Sequence, residues 1–201
     1  MTTISLYNRA GALLGALAVA AVVAFGAMIS VPSASMGAEG TPHLLLTLKD
    51  GVVDIELLKD VAPKQVERTI TLTEQGAYDN VLFHRVIDGF MAQTGYGQFA
   101  KVGGPDYNPA YWGAGASNLP DLPAEFSDIP YERGIVGAAR GEDINTANSQ
   151  FFIMFTAYPS LNGAYTVFGR VVSGMEFVDN IAKGEPPANP DKIISAKIEY
   201  K

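Results

Sequence analysis

One of the two most informative stretches of the chain reads Phe83-His84-Arg85-Val86-Ile87-Asp88-Gly89-Phe90-Met91-Ala92-Gln93. Strand-forming residues lie on both sides of its Asp-Gly pair, which predicts strands over residues 81–87 and 91–94. Arg85 is an isolated charged residue among large apolar ones in this stretch. Such a pattern suits a site that binds a polar backbone inside an apolar pocket.

A second stretch of the same character begins about 55 residues further on and reads Asn148-Ser149-Gln150-Phe151-Phe152-Ile153. A strand-like Val167-Phe168-Gly169-Arg170-Val171 follows it. The other strand candidates are bounded by Gly, Pro, Asn or Asp and cover residues 44–48, 52–57, 134–139, 151–155, 166–172 and 192–200. The Asp50-Gly51 pair between the first two of these predicts a hairpin.

Two helices are also predicted. Asp60 can cap the first, which has Pro63 in its first turn and apolar residues at helical spacing as far as Gly76. The second helix covers residues 175–183 and is ended by Gly184. Many short strands with two helices predict a mainly β fold, either a closed antiparallel barrel or a sandwich.

Composition narrows the class of protein. The chain has 201 residues, 48% hydrophobic and 17% charged, which is enough for one sizeable core and a single domain. Its net charge of −7 without a Lys/Arg cluster excludes nucleic acid as a partner. The chain has no cysteine and only two histidines, and it lacks a calcium-loop motif. We therefore expect no metal and no cofactor, and we expect a monomer.

The first 38 residues differ in composition from the rest of the chain and are predicted to be a separate segment. Arg9 precedes an uncharged apolar run over residues 10–30, and small residues follow as far as Ala38. This order is typical of a secretory signal peptide, which predicts export to the periplasm and a mature domain of residues 39–201. The apolar run is also close to the length that spans a bilayer, so an uncleaved membrane anchor is the alternative.

Residues 95–125 form a long segment of Gly, Pro, Asn and aromatic residues. A segment of this length is often a functional loop, such as one that lines a binding site. It can also be a surface loop whose aromatic residues pack on one another. The sequence favours the second interpretation.

The two stretches together resemble the signature segments of the cyclophilins, the peptidyl-prolyl cis-trans isomerases. The resemblance runs from about Leu44 to Lys201. It implies a closed, eight-stranded antiparallel β-barrel capped by two α-helices. It also implies that proline-containing polypeptides are the substrates and that their X-Pro bonds are isomerised without a cofactor.

The resemblance assigns catalytic roles to Arg85, Gln93 and Gln150. Arg85 corresponds to the arginine that donates to the prolyl nitrogen, and the two glutamines correspond to those that orient it and contact substrate. Considered alone, Arg85 could equally form a surface ion pair, for example with Glu125 or Asp128. The glutamines could instead satisfy backbone groups of the barrel.

The resemblance also assigns residues to substrate binding. Those that match the proline pocket and its rim are Phe90, Met91, Ala139, Arg140, Phe152, Leu161 and Tyr165. On their own, most apolar residues of this kind belong to an ordinary core. Ala139 and Arg140 are expected to contact substrate through the main chain, so the identity of the Arg140 side chain should matter little.

His84, next to the arginine, could be a general base, but the isomerisation transfers no proton. Because strand residues alternate in direction, His84 is expected to face away from Arg85. We therefore expect a buried histidine that is hydrogen-bonded, since burial without a partner is costly.

Arg140 and Tyr165 indicate a subgroup. Many eukaryotic cyclophilins have asparagine at the position of Arg140 and histidine at the position of Tyr165. The Ala139-Arg140 pair and Tyr165 resemble bacterial exported cyclophilins instead. Two functions stay open at this point: an active isomerase for exported proteins, and a cyclophilin-fold module that binds proline-containing segments with little turnover. A weaker third interpretation is an unrelated small β-barrel with a ligand cavity, against which the two paired motifs argue. The arginine favours the isomerase, because a pure binder needs no donor at the imide nitrogen.

Ser160 predicts a weak response to cyclosporin. It stands where many eukaryotic cyclophilins have the tryptophan that is associated with binding of this drug. We expect the isomerase activity of the purified protein to be only weakly inhibited in a cyclosporin titration. Inhibition at nanomolar concentrations would contradict this prediction.

Overall fold

The structure, a computed structural model, describes residues 40–201, so the predicted signal peptide or anchor in residues 1–38 lies outside it. No helix in this described part is long and apolar enough to cross a bilayer. The strands are β1 (Pro42–Thr47), β2 (Val52–Leu57), β3 (Arg85–Ile87), β4 (Met91–Gly95), β5 (Ile135–Ala138), β6 (Gln150–Met154), β7 (Val167–Ser173) and β8 (Ser195–Tyr200). The helices are α1 (Pro63–Glu74) and α2 (Met175–Asp179).

The predicted Asp-Gly hairpin joins β1 and β2. The Leu48 amide donates to the Gly51 carbonyl across the turn at 2.8 Å. In the ladder that follows, Leu46 lies opposite Val53, and both are fully buried. The turn chemistry and the alternation of apolar residues therefore predicted this element correctly.

The eight strands form one antiparallel sheet in the order β3-β4-β6-β5-β7-β2-β1-β8. Within residues 40–201 no ladder joins the two edges, β3 and β8, so the sheet is a curled half-barrel and the predicted closure is wrong. The segments that precede β3 and β8 meet at an isolated bridge between Leu82 and Lys192. There the Phe83 amide donates to the Asp191 carbonyl at 2.9 Å. Local strand propensity could not predict whether these two edges would pair.

Both faces of β6 are buried, which creates two apolar regions. Phe151 and Ile153 lie in the main core, whereas Phe152 and Met154 lie in a second cluster on the opposite face. The rings of Phe151 and Phe168 meet edge to face in the core, 6.1 Å apart. The continuous apolar run of this strand thus supplies the core and, on its other face, the floor of a surface groove.

The first helix begins later than predicted. Its N-cap is Ala62, which has no side chain that can cap, so the assignment of Asp60 as the cap is wrong. The Glu125 carboxylate instead accepts hydrogen bonds from the backbone amides of Lys64 and Gln65, at 3.0 and 2.9 Å. A residue about 60 positions away therefore satisfies the free amides at the start of α1.

The second helix is shorter than predicted and ends at Asp179 rather than at residue 183. The Lys183 ammonium donates to the carbonyls of Asp179 and Ile181, which takes the place of further helical hydrogen bonds. Five residues make a helix of about 7.5 Å, too short to cover an end of the barrel. The expectation of two capping helices is therefore only partly met, because α1 alone has the necessary length.

The strand predicted over residues 81–87 is also shorter, since only Arg85–Ile87 forms a ladder. Val81 and Leu82 make isolated bridges to Lys101 and Lys192 instead. The β8 strand begins at Ser195 rather than at residue 192. The other strands lie within about two residues of their predicted bounds.

Replacement of Glu125 should destabilise the fold through α1. Glu125→Ala removes both acceptors from the helix start and should lower the free energy of unfolding by about 1–2 kcal/mol. Glu125→Gln keeps one acceptor oxygen and should cost less. Urea unfolding of both variants measures the difference, and equal stability of Glu125→Ala and the natural protein would contradict this role.

The environment of His84 makes stability depend on pH. His84 is buried as predicted, at 4% exposure, but within residues 40–201 neither ring nitrogen has a hydrogen-bond partner, so that part of the prediction is wrong. Burial lowers the pKa of His84, and the charge of Arg85 adds to this. The Leu82 carbonyl and the Gln150 side chain favour protonation, but neither meets hydrogen-bond geometry in the structure.

We therefore expect acid to destabilise the folded state through His84. Above the ordinary histidine pKa of about 6.5 both states hold a neutral imidazole, and the contribution of burial is complete. Below it the unfolded state binds a proton that the folded state does not, so the unfolding free energy falls by up to about 1.4 kcal/mol per pH unit. Urea unfolding at pH 7.5 and 5.5 should show a smaller loss for His84→Gln than for the natural protein. Equal losses would contradict the assignment.

Candidate active site

The site is built on one row of cross-strand neighbours. Arg85 of β3 lies opposite Gln93 of β4, Gln93 lies opposite Phe152 of β6, and Phe152 lies opposite Gly137 of β5. Directly paired residues of antiparallel strands project from the same face of the sheet. The register therefore places an arginine, an amide, an aromatic ring and a position without a side chain side by side.

Nine of the ten predicted site residues line a single cavity of about 260 Å³, here called the apolar pocket. They are Arg85, Phe90, Met91, Gln93, Ala139, Arg140, Phe152, Leu161 and Tyr165. The pocket is smaller than the usual range for drug-sized ligands, so it suits one compact side chain or ring. Gln150 does not line it.

The floor of the apolar pocket depends on a glycine that was not among the predicted site residues. A side-chain carbon at Gly137 would lie 2.4 Å from the Phe152 ring and 2.5 Å from the Tyr131 hydroxyl oxygen. Phe152 stacks on Tyr131 at 5.7 Å and meets Tyr165 edge to face at 5.8 Å. A glycine inside a strand often marks such a close approach, which is the signal that could have identified it.

The side chain of Arg140 supports the rim of the pocket. Its guanidinium lies 4.4 Å from the centre of the Tyr165 ring, and it donates to the carbonyls of Gly141, Glu142 and Ala164. These contacts link the loop after β5 to the loop before β7 across the pocket wall. The side chain thus supports the aromatic wall of the pocket, a role that the sequence did not indicate.

Arg85 stands at the mouth of the apolar pocket with 42% of its side chain exposed. Its Nε donates to the Glu185 carboxylate at 2.8 Å, which is the only hydrogen bond of the guanidinium within residues 40–201. Glu125, one of the partners considered from the sequence, instead binds the start of α1. Glu185 was not predicted as a partner, and no local pattern marks it, because it lies 100 residues from Arg85.

The two predicted glutamines bind each other rather than Arg85. Gln93 Nε2 donates to Gln150 Oε1 at 3.1 Å, and Gln150 Nε2 donates to the carbonyls of Gly113 and Gly115 at 3.2 and 3.0 Å. Gln150 thus satisfies backbone groups, as the alternative interpretation proposed. Within residues 40–201 the Arg85 guanidinium therefore donates to Glu185 and to neither glutamine.

A second cavity of about 270 Å³, here called the polar cavity, adjoins the first. It shares Gln93, Ala139 and Arg140 with the apolar pocket, and Gln150 and Thr146 also line it. The two cavities therefore lie side by side, here called the groove, and Arg140 lines both of them. The polar half can accept backbone or polar side-chain groups of an extended ligand.

The loop of residues 95–125 has both of the features considered from the sequence. Its aromatic residues pack on one another, with the rings of Phe99 and Tyr111 5.5 Å apart and those of Tyr107 and Trp112 6.2 Å apart. The same loop places Gly113 and Gly115 in the wall of the polar cavity. Self-packing thus gives the loop a shape that lines the groove.

The groove offers polar donors and an apolar floor for noncovalent binding. Within the described residues, no cluster of three or more His, Asp or Glu side chains could hold a metal ion. Arg85 presents a permanent cation beside Phe152 and Met91, which are 5% and 1% exposed. This arrangement places a fixed cation beside apolar side chains, where it can stabilise a developing lone pair on a ligand atom.

Comparisons with known proteins show the family to which the chain belongs. The family described as cyclophilin type peptidyl-prolyl cis-trans isomerase/CLD matches residues 43–198. A Brucella suis protein, named probable peptidyl-prolyl cis-trans isomerase, is 51% identical over 189 residues, or 92% of this chain and 95% of that protein. Peptidyl-prolyl cis-trans isomerase B of Bacillus subtilis is 37% identical over 142 residues, or 69% and 89% of the two chains.

A solved structure is similar in fold. It is a Cryptosporidium parvum cyclophilin type peptidyl-prolyl cis-trans isomerase, crystallised in the presence of the dipeptide Ala-Pro. The TM-score is 0.66 at 27% sequence identity, over 79% of this chain and 99% of that one. The matched family region contains the whole apolar pocket and the arginine at its mouth. The chain therefore belongs to the cyclophilin-type peptidyl-prolyl cis-trans isomerases and is an enzyme of that activity.

Proposed function

We propose that this isomerase accelerates rotation of X-Pro bonds during the folding of exported proteins, with Arg85 donating a hydrogen bond to the prolyl nitrogen. The observation that carries the proposal is the position of Arg85 at the mouth of the apolar pocket, across Gln93 from the floor residue Phe152. A proline ring on that floor would bring its nitrogen towards the guanidinium.

The chemistry needs such a donor. Resonance stiffens the peptide bond and gives rotation a barrier of about 18–20 kcal/mol. In the twisted state the prolyl nitrogen regains its lone pair, and a donor aimed at it stabilises that state more than either planar state. The terminal nitrogens of Arg85 make no hydrogen bond within residues 40–201, so they are available for this contact.

The apolar pocket strengthens the contact and holds the ring. Phe152, Met91 and Tyr165 surround the bound ring with carbon and exclude water from it. A hydrogen bond formed beside such a floor is stronger than one in bulk water. The size of the pocket matches one ring, which fits a preference for proline at this position. The Ala-Pro dipeptide present with the crystallised Cryptosporidium parvum protein is consistent with such a ligand.

The residues that line the apolar pocket differ in their exposure to solvent. Phe152 and Met91 are almost fully buried, whereas the Arg85 side chain is 42% exposed at the mouth. The guanidinium keeps its charge at this position, and the cost of desolvation is limited because only part of the group is removed from water. The substrate completes the burial, so the strongest electrostatic contact forms only when the pocket is filled.

The backbone of Arg140 can hold the chain on the other side of the X-Pro bond. β5 ends at Ala138, and Ala139 donates its amide to the Gln150 carbonyl at 2.9 Å. The next residue, Arg140, makes no backbone hydrogen bond within the described residues. Its amide and carbonyl are therefore free to pair with an extended polypeptide, as an added strand pairs with a sheet edge.

The proposed cellular location of the enzyme is inferred from the sequence. Residues 1–38 have the order of a signal peptide, and Ala139-Arg140 and Tyr165 resemble bacterial exported cyclophilins. We therefore place the enzyme in the periplasm as a monomer, with attachment to the membrane through residues 10–30 as the alternative. Uncatalysed X-Pro isomerisation takes tens to hundreds of seconds, which makes catalysis useful to a folding protein.

Replacement of Arg85 tests the catalytic assignment. Arg85→Ala in the full chain should lower kcat/KM at least a hundredfold in a proline-limited peptide assay, which corresponds to about 2.7 kcal/mol of transition-state stabilisation. Arg170→Ala is the control, because Arg170 is also exposed and also donates through Nε to a carboxylate, that of Glu56, away from the groove. Equal rates for Arg85→Ala and the natural protein would refute the mechanism.

A further inference from the structure

We infer that Glu185 is a positioning residue for Arg85, which it holds in the orientation needed at the mouth of the apolar pocket. The inference rests on the proposed role of Arg85 and adds the group on which that role depends. The glutamines expected to orient the arginine bind each other and the loop carbonyls instead. The Glu185 carboxylate accepts the hydrogen bond from Arg85 that the glutamines do not accept.

The backbone places Glu185 beside Arg85. The Val86 amide donates to the Gly184 carbonyl, and the Gly184 amide donates to the Val86 carbonyl, both at 2.8 Å. This antiparallel bridge makes Arg85 and Glu185 the next pair of cross-strand neighbours. Glu185 thus extends the row of Arg85, Gln93 and Phe152 by one position beyond the edge of the sheet.

The bridge requires glycine at position 184. Gly184 has a φ of +146°, and a side-chain carbon there would lie 2.6 Å from the Cα of Pro187. A few residues further on, the Asp191 carboxylate accepts from the Ala182 amide at 2.8 Å, which ties the two ends of this turn together. Glu185 therefore projects from a segment that is held by the backbone bridge at Gly184 and by the Asp191 carboxylate, unlike a residue on a free loop.

The geometry of the ion pair leaves the useful donors free. Glu185 engages Nε, on the stem side of the guanidinium, and leaves both terminal nitrogens for substrate. A planar group held at Nε can no longer swing freely about its long side chain. Orientation of this kind matters for catalysis, because small misplacements of a catalytic group lower the rate strongly.

The pair is not needed for folding. The side chains of Arg85 and Glu185 are 42% and 51% exposed, and exposed ion pairs contribute little to stability. Loss of Glu185 should therefore leave the protein folded while it releases the arginine. The Arg133–Asp179 pair is a matched control, because its side chains are 48% and 42% exposed and it lies outside the apolar pocket and the polar cavity.

The test compares Glu185→Ala, Glu185→Gln and Asp179→Ala in the full chain. Glu185→Ala should lower kcat about tenfold with KM nearly unchanged, because the pocket is intact and only the arginine is misplaced. Glu185→Gln keeps an oxygen that accepts from Nε and should recover much of the activity. Asp179→Ala should be as active as the natural protein. Activity of Glu185→Ala equal to or above that of the natural protein would overturn the inference.

A double-mutant cycle separates positioning from a general structural effect. If Glu185 acts only through Arg85, then Glu185→Ala should change nothing further when combined with Arg85→Ala. Multiplied losses would overturn the inference while leaving the role of Arg85 intact. If Arg85→Ala alone has no effect, the proposed mechanism itself is wrong, so the two failures are distinguishable.

The orientation also has a spectroscopic signature that does not depend on activity. The Nε–H signal of Arg85 in an NMR spectrum should exchange slowly with water in the natural protein and rapidly in Glu185→Ala. Asp179→Ala should leave this signal unchanged. Rapid exchange in the natural protein would show that the ion pair does not hold the guanidinium, and it would overturn the inference.

Discussion

The alternation of Phe151 and Phe152 across β6 couples the main core to the functional site. One ring packs in the main core and the other forms the floor of the apolar pocket. A slip of one residue in the pairing of β6 would exchange the two faces. It would also move Phe152 out of line with Gln93 and Gly137. Burial of Phe151 thus fixes the register that assembles the site.

The contacts that support the site involve loops as well as the sheet. Arg140 fixes Tyr165 through a cation–π contact and carbonyl hydrogen bonds, and Gln150 ties the groove to the loop at Gly113 and Gly115. Each support joins segments far apart in the chain. The sheet therefore sets the direction of the functional side chains, while these loop contacts set how firmly they are held.

Much of the fold was predictable because its signals are local. The hairpin at Asp50-Gly51, the end of α1 near Gly76 and most strand bounds depend on turn residues and on alternation over a few positions. The closed barrel was predicted wrongly, because pairing of β3 with β8 depends on the curvature of the whole sheet. The start of α1 was missed since its free amides are satisfied by Glu125, a distant residue.

Local patterns predicted most of the strands, and family resemblance predicted which residues meet at the apolar pocket and its arginine. The groups that hold these residues in place could be identified from the three-dimensional arrangement alone. Glu185 reaches Arg85 because Gly184 bridges to Val86, and Gln93 turns to Gln150 because β4 lies beside β6. Such partners depend on the register between distant segments, and no pattern within either segment records it.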